Sequence, residues 1–429
     1  MALGAAGVSP RRVGVDLTPL RVSKQYRRLY VAGFIAQLGG QATFVTVPFQ
    51  LRNLTHSPLL VGTLGLVELV PIVLFGLYGG VLADRVDRRR MILATEVAAM
   101  VTILVLFANA LAHHPQIWLI FVADTAIVAT GSLQQPSIAA LNQSLVPHDL
   151  QRAASTLATV KYTTAAIVGP AFGGLVAVAI GPAAAYLVNL VTFTGSLALL
   201  VTLRPDPRPA GAAKVSLGGG LRYARSRPDL MGTYTIDLLA MAWAYPVVML
   251  PFVAARYHVT YALSVLYLGL PVGALVATLT SGWAHRVHHY GRAVVAAAAL
   301  WGLGIALFGD ATSLWWAFAG LMIGGGADAV SGIFRSTMWN ESITPEVRGR
   351  MAGVELISYA VGPTAGQFRA GVMAAWTSLR FSLAVGGLGC TGSVAAAATG
   401  LRSMWRFDAR TDPHVAEVRE LRASETDSA

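Results

Sequence analysis

Residues Gly79 to Leu93 read GGVLADRVDRRRMIL. Apolar residues run almost unbroken to Ala83, then Asp84, Arg85, Asp87, Arg88, Arg89 and Arg90 put six charges into seven positions. Only 12% of the chain is charged, so this cluster needs a cause. The text on either side supplies one. Both flanks are long enough to cross a bilayer, about 20 residues each, and the charges mark the turn between them.

Reading outward, such runs recur at 29–50, 59–83, 91–112, 117–141, 155–180, 182–203, 229–253, 260–284, 293–312, 314–338, 351–376 and 380–402. Hydrophobic residues make up 55% of the 429, well above a soluble domain. Continuous runs rich in Ala, Gly and Leu exclude the short alternating segments of a membrane barrel. The expectation is an all-α integral membrane protein with twelve transmembrane helices. The first 28 residues lack an apolar core and are not expected to be a signal peptide. Cys390, the single cysteine, excludes an intrachain disulfide and a Cys-based metal cluster.

The net charge of +11 could point to nucleic acid, but its distribution does not. With the N-terminus inside, 26 of the 32 basic residues fall on that side; Arg52, Arg256 and Arg380 fall on the other. Lys161, Arg335 and Arg369 lie within spans. The positive-inside rule then places both termini in the cytoplasm. No nucleic-acid partner is expected.

The chain also repeats itself. ADRV at 83–86 answers AHRV at 284–287, NQSLVPHDLQR at 142–152 answers NESITPEVRGR at 340–350, and VGPAFGG at 168–174 answers VGPTAGQ at 361–367. The offsets of 201, 198 and 193 hold three matches in order, the mark of an internal duplication. The expected organisation is a cytoplasmic segment (1–28), a six-helix bundle (29–203), a cytoplasmic Pro/Gly/Arg-rich linker (204–228), a second six-helix bundle (229–402) and a polar, disordered tail (403–429). Such duplicated bundles are the plan of secondary transporters, with a substrate site between the halves.

At this point Gly80–Arg90, GVLADRVDRRR, resembles the signature loop of the major facilitator superfamily, between its second and third helices. VPFQLRNLTHSPLLVG (47–62), LTSG (279–282) and TPEVRGRMAG (344–353) are similar to bacterial exporters of the enterobactin-export and macrolide-efflux group. The resemblance implies a conformational latch made by Gly80, Asp84, Arg85, Arg88 and Arg89. Asp84 would engage the N-terminal end of the helix starting near Met351, where the helix dipole favours a carboxylate. The superfamily usually has Gly where this chain has Asp87, and Asp is compatible with a turn there. The second copy carries His285 in place of the aspartate.

Ionisable residues inside a membrane are expensive and are functional candidates by default. Glu68, Asp124, Asp237, Asp328, Lys161, Glu355 and Arg335 all fall in spans. A carboxylate at that depth must be paired or protonated, so the acids are candidates for proton coupling, and each is equally readable as half of a structural ion pair. Asp328 and Arg335 share a helix face at a spacing too long for an ideal pair. Gln37, Gln41, Gln134, Asn189, Trp243 and Tyr245 are candidates for lining a cargo cavity; the amides could equally glue helices together and the aromatics could simply pack. No phosphate-binding loop is present, which argues against ATP as the direct energy source, and no cofactor or metal is expected.

These readings converge on a monomeric secondary transporter in a bacterial cytoplasmic membrane. Its expected action is to export a medium-sized amphipathic cargo, a siderophore or a drug, in exchange for protons. An importer, or a non-transporting scaffold or sensor, is the alternative.

Overall fold

The computed structural model describes the backbone of residues 15–204 and 217–427; among these, the side chains of 77, 80–81, 83–85, 217–221, 345–354, 356–357 and 425–427 lie outside the described residues. No strand occurs among the described residues. The long helices are α1 (Lys24–Thr55), α2 (Pro58–Arg85), α3 (Arg88–Leu111), α4 (Ile117–Ser144), α5 (Gln151–Ala179) and α6 (Pro182–Val201). They continue as α7 (Pro228–Ala244), α8 (Ala262–Leu279), α9 (Tyr290–Asp310), α10 (Leu314–Ser342), α11 (Pro345–Trp376) and α12 (Leu379–Gly400). Ten candidate membrane-crossing segments, by length and composition, fall on α2 to α10 and α12.

Local chemistry sets the helix ends. Ser57 accepts a hydrogen bond from the Leu60 amide (3.3 Å), Ser313 from Trp316 (3.3 Å) and Ser378 from Phe381 (3.2 Å), each filling one of the orphan donors of a first turn. Between α5 and α6, Gly181 takes φ of +124°, a conformation that costs glycine nothing, and Pro182 then starts the next helix. At the opening stretch, Val86 is extended and Asp87 is the N-cap of α3, its carboxylate accepting from the Arg90 amide at 2.8 Å. The departure from glycine is therefore used: Asp87 closes the turn by capping.

The packing repeats. In the first six helices α1 packs on α5 and α6, α2 on α4, and α3 on α4 and α6. In the second six the corresponding pairs recur: α7 with α11 and α12, α8 with α10, and α9 with α10 and α12. Two seams join the sets, α2 against α11 and α5 against α8, and exchanging the halves (α2 for α8, α5 for α11) turns one pair into the other. The duplication legible in short motifs thus extends to the helix-packing plan.

Both seams are tight at the end of the bundle where α1 leads into α2, here the far end. A Cβ added to Gly62 would lie 2.7 Å from the Gly371 Cα, so only glycine permits that approach. On the other seam Ser264 Oγ donates to the Ala171 carbonyl at 2.7 Å. At the opposite, terminal end, Arg28 and Arg89 donate to the carbonyls of Thr202 (2.9 Å) and Val201 (2.7 Å), the C-terminal end of α6 where cations are favoured.

Three expectations need correction. The run 229–253 is not one helix: it breaks at Tyr245–Pro246 into short turns reaching Tyr257, because the residue before a proline is driven out of the helical region. The run 260–284 ends as α8 at Leu279 and continues as a 3-10 turn over Ser281–Arg286. The tail read as disordered is helical over Arg402–Arg406 and Pro413–Asp427. Asp412 accepts from the His414 amide (3.0 Å) at its start, Val415 and Val418 are buried, and Arg422 donates to the Asn340 carbonyl (2.7 Å). Two buried valines three apart supply the apolar face that the polar composition concealed.

Candidate functional site

Arg335, on α10, is the centre of the first polar cluster. Its guanidinium is 2.5 Å from Asp237 of α7 and 3.7 Å from Asp328, two turns back on its own helix. Ser358 of α11 donates to Asp237 at 3.3 Å, and the Tyr359 ring lies 5.9 Å from the guanidinium. The Tyr359 hydroxyl hydrogen-bonds Glu355. The two acids differ in setting: the Asp237 side chain is 4% exposed and that of Asp328 is 42% exposed. Asp237 is therefore the enclosed partner, and Asp328 is the more exposed acid. Beside them lies a cavity of about 20 Å³ lined by Thr233, Tyr234, Trp339, Asp237, Arg335 and Glu355, room for about one water and no cargo.

The second cluster is in the first half. Glu68 of α2 and Asp124 of α4 are close enough to interact electrostatically. Close by, the Tyr186 hydroxyl donates to Gln50 at 2.7 Å, both buried.

The third cluster contains an acid the sequence reading passed over. Glu96 of α3 is 3% exposed, and Gln134 of α4 donates to it at 2.8 Å. A single carboxylate in the run 91–112 was the available signal.

The remaining candidates scatter. The Lys161 ammonium lies 5.5 Å from the Tyr30 ring, with no carboxylate within ion-pair distance among the described residues. Asn189 donates to Thr43 at 2.5 Å and joins α6 to α1. Gln41 packs against Gly169 of α5, and Gln37 is half-buried on α1. Trp243 lies under Arg369, 5.9 Å from ring centre to guanidinium, and packs against Gly389. Tyr245 is at the break after α7, beside Gly366. Among the latch residues, Arg89 bonds the end of α6 and Arg88 opens α3, whereas the side chains of Gly80, Asp84 and Arg85 lie outside the described residues.

A duplicated helical bundle with apolar membrane-length helices and acids buried in both halves defines a membrane transport protein. The Major Facilitator Superfamily profile matches residues 29–367. The enterobactin exporter EntS of Citrobacter koseri is 29% identical over 385 residues, covering 87% of this chain and 91% of that protein. EntS of Shigella flexneri is 28% identical over 382 residues with the same coverage. Among solved structures, the nucleoside transporter NupG superposes with a TM-score of 0.70 at 13% identity, covering 90% of this chain and all of that one. A bacterial homologue of the human lysosomal transporter Spinster, inward-facing and unoccupied, superposes at 0.66 with 14% identity, covering 94% and 97%. The chain belongs to the major facilitator superfamily.

Proposed function

We propose that this transporter exports a medium-sized amphipathic molecule, a siderophore or a drug, in exchange for protons. It would be a monomer in a bacterial cytoplasmic membrane, with twelve spans and both termini inside. The observation that carries the coupling is Asp328: an acid within a membrane-length helix whose side chain is 42% exposed and lies 3.7 Å from an arginine that Asp237 already neutralises. Such a group can gain and lose a proton without stranding Arg335. The proximity of Glu68 and Asp124 supports a second protonation site in the other half. Similarity to EntS along most of the chain supports export and a siderophore-like cargo. In this reading Asp84 and its neighbours latch the terminal end when the far end opens.

The test uses purified protein in proteoliposomes with an imposed pH gradient, offering a catecholate siderophore and, separately, a cationic dye. Gradient-driven movement of one of them is expected. Asp328→Asn should abolish the gradient dependence while preserving cargo exchange without a gradient. Full gradient-driven transport by Asp328→Asn and by Glu68→Gln would remove these acids from the coupling step.

Topology has its own check. In a Cys390→Ser background, Arg88→Cys is expected to react with an impermeant maleimide only from the cytoplasmic side, and His113→Cys only from outside. Reversed labelling would invert the orientation.

A further inference from the structure

A groove of about 450 Å³ opens between the terminal ends of α9 and α12, away from both seams. Val295, Ala395 and Ala398 form its walls, and the turn of helix over Arg402–Arg406 closes its end. Arg402 and Arg406, four apart and on one helix face, both line it, with Trp405 between them. Arg292 flanks it, its guanidinium 5.7 Å from the centre of the Trp405 ring. No acidic residue lines the groove, and Arg402 and Arg406 have neither an ion pair nor a hydrogen bond among the described residues.

We infer that this groove binds an anionic phospholipid from the leaflet at the terminal end, its headgroup phosphate held by Arg402 and Arg406 and an acyl chain lying along Val295, Ala395 and Ala398. Three features select this occupant. Two guanidinium groups line the groove without a counter-charge and a third, Arg292, stands beside Trp405, which favours an anion. The groove continues down two apolar helices, which a free phosphate could not use. An exposed tryptophan beside arginines at a helix end marks the interfacial layer where lipid headgroups lie. The inference is independent of the cargo and of the direction of transport.

The experiment measures the thermal stability and lipid retention of full-length detergent-purified protein. The probes are dioleoylphosphatidylglycerol, dioleoylphosphatidylcholine and inorganic phosphate. Phosphatidylglycerol is expected to raise the melting temperature and to survive in native mass spectra, and the other two are not. Arg402→Gln and Arg406→Gln should each weaken phosphatidylglycerol binding about fivefold, and the double substitution about 30-fold. Ala395→Leu keeps both arginines but fills the groove and should also lose the bound lipid. Arg419→Gln, outside the groove, should bind like the parent. Undiminished phosphatidylglycerol binding by a folded double variant or by Ala395→Leu would overturn the inference. So would equal stabilisation by phosphatidylcholine, and stabilisation by inorganic phosphate would indicate a free-anion site instead.

Discussion

Asp237→Asn is expected to destabilise the protein strongly, whereas Asp328→Asn leaves its stability nearly unchanged. Asp237 is the buried partner of Arg335, 2.5 Å away and held by Ser358. Neutralising it strands a guanidinium whose remaining acid is at 3.7 Å and half-exposed. Breaking a buried pair from one side costs about 3–5 kcal/mol. Thermal unfolding in detergent reads this directly. The double variant Asp237→Asn with Arg335→Gln removes both charges and should recover much of the loss. A double variant no more stable than Asp237→Asn alone would show that the pair is not what holds α7 to α10.

The second large effect is expected at the far-end seam. A valine at Gly371 cannot coexist with Gly62 at its present separation, since even a Cβ at position 371 would lie 2.7 Å from the Gly62 Cα. Overpacking of this kind costs about 1–3 kcal/mol, enough to shift a two-state equilibrium by about 5–150-fold. Gly371→Val should insert normally, favour the open far end and slow transport in proportion. If the halves rock as units, the other seam must open as well. Ser264, 7% exposed and bonded to Ala171, reports on it: Ser264→Cys in the Cys390→Ser background should label faster when Gly371→Val is added. Unchanged labelling together with unchanged transport would mean that this glycine contact does not gate the far end.

Sequence reading located the acids but could not say which of them meet. Asp237 and Arg335 are 98 residues apart, and their pairing depends on α7 lying within reach of α10, which no local pattern encodes. Asp328 and Arg335 share a helix face two turns apart, too far for an ideal pair, and their separation is 3.7 Å. Glu68 and Asp124 were each visible as lone carboxylates; that they are neighbours follows from the packing of α2 on α4. Asn189 and Gln134 turned out to join helices, since each found a polar partner on a neighbouring helix at 2.5 and 2.8 Å.

What the sequence alone determined is whatever is periodic or local: long apolar runs that must become helices because backbone polar groups in hydrocarbon must bond within their own segment. It also determined the duplicated halves, and the charged loop after Ala83 that marks a turn. Asp87, Ser57 and Pro182 act on their immediate neighbours, so their effects could be read from position. The tertiary structure alone decided the docking of Pro413–Asp427, the Gly62–Gly371 approach and the identity of Arg335's enclosed partner. Each depends on a surface supplied by a distant part of the chain. A side chain's cost of burial is legible in its type, but the partner that offsets that cost exists only once the helices have packed.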